Sequence, residues 1–232
     1  MPNNIPSANI CVIIPVYNDV GYLRRLLAAL AQHDVQEIIV VDGGSNDDSK
    51  ISTKRHNQVT LLESAKGRGQ QIAHGIASTQ AEYIWVLHAD SCVAETAAQD
   101  IRNILAQNDV ALGCFSVKFD VSHPLLALFS WLSRFDSPIT TFGDQGFFFR
   151  RKDLLAAGGM NTQPLLEDVA LRFTLLRHKR GKVSKSNLPL ITSSRKFLQH
   201  GMFRTQVKNA WTLLRYFCGV DTQKLYNEYY GA

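Results

Sequence analysis

Two hydrophobic rhythms divide this chain. In its first half, short unbroken apolar runs alternate with segments whose apolar residues recur every three or four positions. Ile10 to Val16, Glu37 to Val41, Val59 to Leu62 and Tyr83 to Leu87 are β-branched or aromatic runs, and each predicts a buried strand. Between them, Asp19 to Gln32 places Leu23, Leu26, Leu27 and Leu30 on one helical face. Further helices are predicted from Asn46 or Asp47, either of which can cap, through Arg55, and over Gly69 to Thr79 and Ala94 to Ala106. Strands alternating with helices at this rhythm predict a mostly parallel sheet with helices on both faces. Such sheets bind ligands outside the carboxyl ends of their strands. The segments to inspect are therefore Tyr17 to Asp19, Asp42 to Ser45, Glu63 to Gly69 and His88 to Asp90.

After about residue 110 the rhythm loosens. Val110 to Phe119 and Gly146 to Arg150 read as strands, and Pro124 to Phe135 as an apolar helix. Lys152 to Ala157 is a short helix stopped by Gly158-Gly159. Glu167 to Lys179 is a helix with acids in its first turn, where the dipole favours them. Phe203 to Phe217 is an amphipathic helix carrying Arg204, Lys208 and Arg215. No internal repeat, low-complexity tract or linker interrupts the chain.

At 232 residues and 45% hydrophobic content, the composition is that of a globular chain. A net charge of +5 favours phosphate-bearing ligands or anionic surfaces, but the interleaved aromatic and basic patch of a nucleic-acid binder is missing. None of Cys11, Cys92, Cys114 and Cys218 forms a C-x-x-C pair, which removes zinc-knuckle and thioredoxin-type chemistry and points to a reducing compartment. With no signal-peptide pattern at Met1 to Asn9 and no apolar run of membrane-spanning length, the expectation is a cytoplasmic protein.

Several acids stand where chemistry is expected. Asp42 ends a buried strand before two glycines, which let backbone amides approach a ligand. It can accept from a nucleobase N–H or a ribose hydroxyl; the competing reading is a turn residue. Asp90, with His88 before it, can hold a divalent metal together with ligand phosphates, or cap the next helix. Glu167-Asp168 opens a helix with adjacent acids on different faces, so one can act as a general base while the other pairs. Lys66, Arg68 and Arg195 can clamp phosphates, or be solvated surface charges. Gly67-Arg68-Gly69 does not continue into a dinucleotide fingerprint, because Ile72 takes the third glycine position, and no P-loop exists.

Taken in order, these segments resemble the family 2 glycosyltransferases of GT-A fold. Val12-Ile13-Ile14-Pro15-Val16-Tyr17-Asn18 is similar to that family's opening strand. Ile38 to Asp47 is similar to its second strand and nucleotide-contacting loop. Leu87-His88-Ala89-Asp90 stands at its D-x-D metal motif, and Glu167-Asp168 matches its later acid pair. A narrower resemblance is to a bacterial subgroup known as arsenosugar-biosynthesis-type glycosyltransferases. It rests on Gly67 to Gln71, the His-Ala-Asp variant, Phe142 to Gly146, Leu166 to Val169 and Thr192 to Arg195.

The resemblance implies an α/β, GT-A-type, Rossmann-like mostly parallel sheet flanked by helices. It implies a single domain over residues 1–232, with a nucleotide-binding half (8–107), a donor and acceptor half (108–199) and a C-terminal helical segment (200–232). It implies a nucleotide-diphospho-sugar donor, with a UDP-sugar favoured, and inversion by direct displacement. Pro15, Tyr17, Asn18, Asp42 and Gly43 would line the nucleotide pocket, with Arg68 near the phosphates. Asp90 would ligate Mn²⁺ or Mg²⁺, and Asp168, beside Glu167, would take the acceptor's proton. Gly143, Asp144 and Gln145 would face the donor sugar or acceptor, and Arg195 the leaving diphosphate. His88 departs from the pattern: an imidazole replaces an acid and removes one negative charge.

Two other classes compete. A nucleotidyltransferase of related fold would need a Gly- and Arg-rich loop directly after the first strand, where this chain has Tyr17-Asn18-Asp19-Val20-Gly21. A catalytically silent nucleotide-sugar-binding module would keep the pocket and lose turnover. The acceptor is open between a small molecule and a lipid-linked one. Phe129, Trp131 and Leu132, and Trp211, Leu214 and Phe217, can either rest on a membrane surface or pack into a core.

Overall fold

A computed structural model describes residues 8–53, 58–195 and 202–231. Its seven-stranded sheet has the order β3-β2-β1-β4-β6-β5-β7. The elements of the first half are β1 (Ile10–Val16), α1 (Val20–Leu30), β2 (Glu37–Asp42), α2 (Ser49–Thr53), β3 (Val59–Glu63), α3 (Arg68–Ala77), β4 (Tyr83–Val86) and α4 (Ala97–Leu105). The second half holds β5 (Val110–Phe119), α5 (Pro124–Leu132), β6 (Phe148–Arg150), α6 (Arg151–Ala156), α7 (Glu167–Lys179), β7 (Lys182–Thr192), α8 (Met202–Phe217) and α9 (Thr222–Tyr230). The far end of the helix expected through Arg55 lies outside the described residues.

β1 to β4 are mutually parallel, in register Val16↔Asp42 and Asp42↔Glu63, so their carboxyl ends form one edge. β1 is buried along its length apart from a half-buried Pro15. Its alternate residues serve two cores. Val12 and Ile14 pack with Leu23, Leu26 and Leu27 of α1 and Ile101 of α4. Cys11 and Ile13 pack on the other face with Ile72 and Ile76 of α3 and Leu171 and Leu175 of α7. Strands buried on both faces read as continuous apolar runs, which is why these four are visible in the sequence.

The second half mixes directions. β6 runs antiparallel to both β4 and β5, while β5 pairs parallel with β7. The β5–β7 pairing shifts register at Val110/Leu112 and at Phe115/Ser116. β7 is absent from the apolar pattern: Lys182, Lys185, Asn187 and Pro189 break any run of strand formers. Gly158 and Gly159 end α6 at φ of 100° and 88°, conformations that suit glycine. Among the described residues, no helix is long and apolar enough to cross a membrane.

Candidate active site

The first wall of the site is the paired loops after β1 and β2. Asn18 sits at φ 52°, donates its amide to Ser45 Oγ (2.9 Å) and accepts from Asn46 N–H at Oδ1 (2.8 Å). Asp47 accepts from Val20 N–H (3.0 Å) and from Ser49 N–H (3.0 Å), so Asp47 ties α1 and α2 together at their starts. Asp42 is fully buried. Its Oδ2 accepts from Gly44 N–H (3.0 Å) and Ser45 N–H (2.9 Å), and Lys50 Nζ lies 3.7 Å away. The turn role is therefore real, yet Oδ1 is buried with no partner. One half of the carboxylate builds the loop and the other half is left for a ligand. Tyr17 is exposed beside it, with Lys66 Nζ 4.1 Å above its ring.

Gln71 underlies this wall. Its buried Nε2 donates to Val16 O (2.9 Å) and Val41 O (2.7 Å), clamping the ends of β1 and β2 at fixed spacing. Gly43 is close-packed over it: a Cβ there would meet the Gln71 amide at 3.1 Å. No local pattern marks a glutamine in a helix as a sheet clamp, because its partners are 55 and 30 residues away.

The second group follows β4. Leu87 N–H still donates to Ile13 O (3.0 Å), after which the chain turns. The loop is fixed by the bridge between Cys92 and Ile191 of β7, whose reciprocal bonds are 2.8 and 2.9 Å. α4 starts only at Ala97, with Thr96 before it, so Asp90 does not cap that helix. Burial and the charge of Asp19 push the Asp90 carboxyl upward, and Arg195 and Arg68 partly offset this. Burial and the nearby Arg68 push His88 down to about 3, so its imidazole is neutral at pH 7. Arg195 reaches Asp19 at 3.2 Å and lies 4.9 Å over the Tyr22 ring. Asp90, Tyr22 and Ser193 help line a pocket of about 220 Å³.

The third group comes from the start of α7 and the single 3₁₀ turn Gly143–Gln145. Leu166, at φ 60°, turns the chain so that both acids face inward. Glu167 is buried and pairs with Arg68 at 3.5 Å. This pair joins α3 to α7, and Gly69 permits it: a Cβ there would lie 3.2 Å from Glu167 Cβ and from Gln163 O. Asp168 Oδ2 accepts from Gly143 N–H (2.7 Å) and Oδ1 from Val169 N–H (2.8 Å). Each oxygen keeps a second lone pair. Burial and the charge of Asp168 raise Asp144 to about 6, with Arg68 opposing and Asp90 adding to the rise. Some desolvation opposes the charge of Arg68, but Glu167, Asp168 and Asp144 hold its pKa above the ordinary value.

Arg68 is thus felt by His88, Asp90, Asp144 and Glu167, which makes it the centre of the cluster. Gln145 is placed differently. It is buried, donates to Thr140 O (2.5 Å) and accepts from Lys185 Nζ (2.5 Å). It ties the 3₁₀ turn to β7 through Lys185. Besides the clamp by Gln71, the reading by residue type overlooked Tyr22 and Lys185, neither of which belongs to a short motif, while Asp19 lies in the first strand-end segment marked for inspection.

Residues 11–156 match the family model described as Glycosyl transferase family 2. The chain belongs to that family. An uncharacterized glycosyltransferase of Rickettsia prowazekii is 33% identical over 121 residues, covering 49% of this chain and 38% of the relative. Glycosyltransferase GlyG of Streptococcus pneumoniae is 30% identical over 111 residues, covering 44% and 37%. Glycosyltransferase AglJ of Haloferax volcanii is 22% identical over 99 residues, covering 42% and 33%. The matched part therefore spans well under half the length of these relatives. The fold is also that of the mannosyltransferase PcManGT from Pyrobaculum calidifontis, a structure in complex with GDP-Man and Mn²⁺. There the TM-score is 0.69 at 19% identity, over 96% of this chain and 69% of the other. The GT-A architecture of this family 2 chain is thereby established, with one strand, β6, antiparallel in an otherwise parallel frame.

Proposed function

We propose that this chain transfers a sugar from a nucleotide-diphospho-sugar to an acceptor hydroxyl, by direct displacement with inversion at the anomeric carbon. The carrying observation is the division of acids along one sheet edge. Asp42 offers a single unpaired oxygen to a nucleoside, and Asp168, oriented by two backbone amides, acts on the charge of Arg68. A buried lone oxygen suits one base N–H, which supports a uridine donor; the guanine of the GDP-Man in the mannosyltransferase complex presents more donors than one oxygen satisfies.

In this reading, Pro15, Tyr17, Asn18 and Gly43 line the nucleotide, and Arg68 and Arg195 take up charge on the diphosphate. Asp168 accepts the acceptor's hydroxyl proton as the new C–O bond forms. The bond from the anomeric carbon to the diphosphate breaks, and its electron pair leaves with the nucleoside diphosphate. Asp144 and His88 sit beside the reacting sugar, and the neutral imidazole donates or accepts without adding charge.

Asp90 fits a divalent ion shared with ligand oxygens. No cation pairs with it among the described residues, and no three His, Cys, Asp or Glu side chains there form a self-sufficient chelate. Mn²⁺ or Mg²⁺ held by Asp90 would supply Lewis-acid stabilisation of the departing diphosphate.

The exposed apolar residues of α5 and α8 support a peripheral position on an anionic membrane. Only Leu126 of α5 is buried, while Leu125, Leu128 and Trp131 are exposed, as are Trp211, Leu214 and Phe217 of α8. Phe129 and Leu132 are half-buried and Leu213 of α8 is buried, so each helix also packs against the body with its other side.

The donor is tested by thermal shift with UDP-, GDP- and TDP-sugars, with and without Mn²⁺. A UDP-sugar is expected to raise the melting temperature most. Asp90→Ala should remove the metal-dependent part of the rise. No shift with any nucleotide under any condition would sink the donor assignment.

A further inference from the structure

Lys185 stands where the sheet calls for an apolar residue. It pairs with Cys114 across the β5–β7 ladder, and on β7 it shares a face with Val183. Cys114 belongs to the core that packs under α3 and α7, and Val183 packs against that core. Ser186 points to the other face, where its Oγ donates to Asp100 of α4. An ammonium on the apolar side of a strand is costly without partners. The lysines nearest in the chain each meet a carboxylate: Lys179 reaches Asp153 at 2.8 Å, and Lys182 reaches Asp109 at 2.8 Å. Lys185 instead donates to an uncharged amide, Gln145 Oε1, at 2.5 Å.

That glutamine is fixed at several points. Its Nε2 donates to Thr140 O (2.5 Å), and its backbone N–H donates to Phe142 O (3.1 Å). The 3₁₀ turn Gly143–Gln145 is closed by Gly146 N–H on Gly143 O (3.2 Å). The first residue of the turn carries the consequence. Gly143 N–H donates to Asp168 Oδ2 at 2.7 Å, and a Cβ on Gly143 would fall 2.9 Å from Asp168 Cβ. The other bond to this carboxylate comes from Val169 N–H, the next residue in the chain, and moves with it. The direction of the Asp168 carboxylate is therefore set from outside α7 by the Gly143 amide, and the Lys185–Gln145 bond fixes the turn that carries this amide.

We propose that Lys185 is a positioning residue for Asp168: acting through Gln145, it holds the 3₁₀ turn where the Gly143 amide aims the base at the acceptor oxygen. This role rests on the transferase reading, in which Asp168 takes the acceptor's proton. Lys185 itself touches no substrate. A base misplaced by about 1 Å loses up to about a hundredfold in rate, while the donor still binds.

The test is nucleotide release by the full chain from the nucleotide-sugar that raises its melting temperature most, with water as the acceptor. Lys185→Met keeps the apolar stem and removes the donor. It should lower kcat by about tenfold or more and leave the donor KM within about twofold. Lys185→Arg can still donate to Gln145 Oε1 and should return kcat to within about threefold of the unaltered chain. Gln145→Met should match Lys185→Met, and the double variant should be no slower than either, because both act on one turn. The thermal shift given by the donor should persist in every variant. Should Lys185→Met not fold, Lys185→Gln, whose amide ends one bond short of the ammonium, carries the same expectation. An unchanged kcat in the methionine or glutamine variant would overturn the role. Additive losses in the double variant, a loss that Lys185→Arg does not restore, or disappearance of the donor's thermal shift would also overturn it, since each marks a support of the fold rather than an orienter of the base. In all these cases turnover by the unaltered chain leaves the transferase reading standing. No nucleotide release by the unaltered chain from any UDP-, GDP- or TDP-sugar would strike that reading, and the role of Lys185 with it.

Discussion

Single side chains set the spacing of this site. Gln71 is the clearest case, since one amide holds two strand ends. Gln71→Leu would keep the volume and remove one donor each from Val41 O and from Val16 O, which still accepts from Gly43 N–H (2.9 Å), at a cost on the order of 1 kcal/mol. Chemical denaturation should show that loss together with weaker nucleotide binding; unchanged stability would mean that water replaces the amide. Asp144 makes the opposite kind of prediction. Its folded pKa of about 6 lies above the ordinary 3.8, with Asp168, Arg68, Asp90 and Lys185 as its charged neighbours. Between those values the folded chain keeps a proton that the unfolded chain has lost, so this group lowers stability as pH rises through the window. Asp144→Asn has no such proton to lose. In metal-free buffer its stability relative to the unaltered chain should therefore climb from about pH 4 to about pH 6 and then level, by up to about 3 kcal/mol. A difference that stays flat from pH 4 to pH 8 would refute the raised value. The trade is recognisable: a charge that is costly to hold is kept where charge has work to do.

At the scale of elements, the β-sheet is assembled from two kinds of strand that differ in legibility. β1, β2 and β4 are buried on both faces, and composition alone marks them. β7 carries Lys185, Asn187 and Pro189 because its partner β5 supplies the apolar side of the pairing, and its register breaks twice. The strand exists through its neighbour, so no local signal shows it. The site divides the same way. Asp42, Asp90 and Glu167-Asp168 stand at element ends, where sequence spacing points. The clamp by Gln71, the Gln145–Lys185 hydrogen bond and the Asp19–Arg195 contact depend on chain segments far apart, and spacing carries nothing of them. One close approach is a strict test of the sheet's middle. A Cβ at Gly113 would fall 1.9 Å from Phe148 Cε2. Gly113→Ala must displace a buried ring, and a loss of about 2 kcal/mol or more is expected by thermal denaturation. An alanine variant as stable as the unaltered chain would show that β5 and β6 do not meet there.

At the scale of the whole molecule, a basic net charge goes together with exposed apolar helix faces. A chain of net charge +5 exposes Trp211, Leu214 and Phe217 on α8, and Phe217 meets Phe173 of α7 at 5.9 Å between ring centroids. Arg172, beside Phe173, binds Asp136 just beyond α5 at 3.0 Å to both oxygens. The two exposed faces are thus anchored to neighbouring residues of α7. Flotation with phosphatidylglycerol vesicles should carry the protein upward at low salt. Phosphatidylcholine vesicles should not, and Trp211→Ser/Leu214→Ser should reduce the floated fraction severalfold. Protein that stays at the bottom of the gradient with anionic vesicles at low salt would remove the membrane from the account.

The three-residue strand β6 meets β4 through three residue pairs and β5 through one. It is a narrow weld between two parallel blocks, and the acids are shared across it: Asp42 and Asp90 belong to one block, Asp144 and Asp168 to the other. Both hydrophobic cores nevertheless run across it: Cys11 and Ile13 lie in one cluster with Leu112, Cys114 and Leu171, and Val12 and Ile14 in the other with Phe115 and Leu190. The Arg68–Glu167 pair, at 3.5 Å, ties α3 to α7 over the same line. The spacing between the two pairs of acids is therefore held by side-chain packing and one ion pair, and hardly at all by strand pairing.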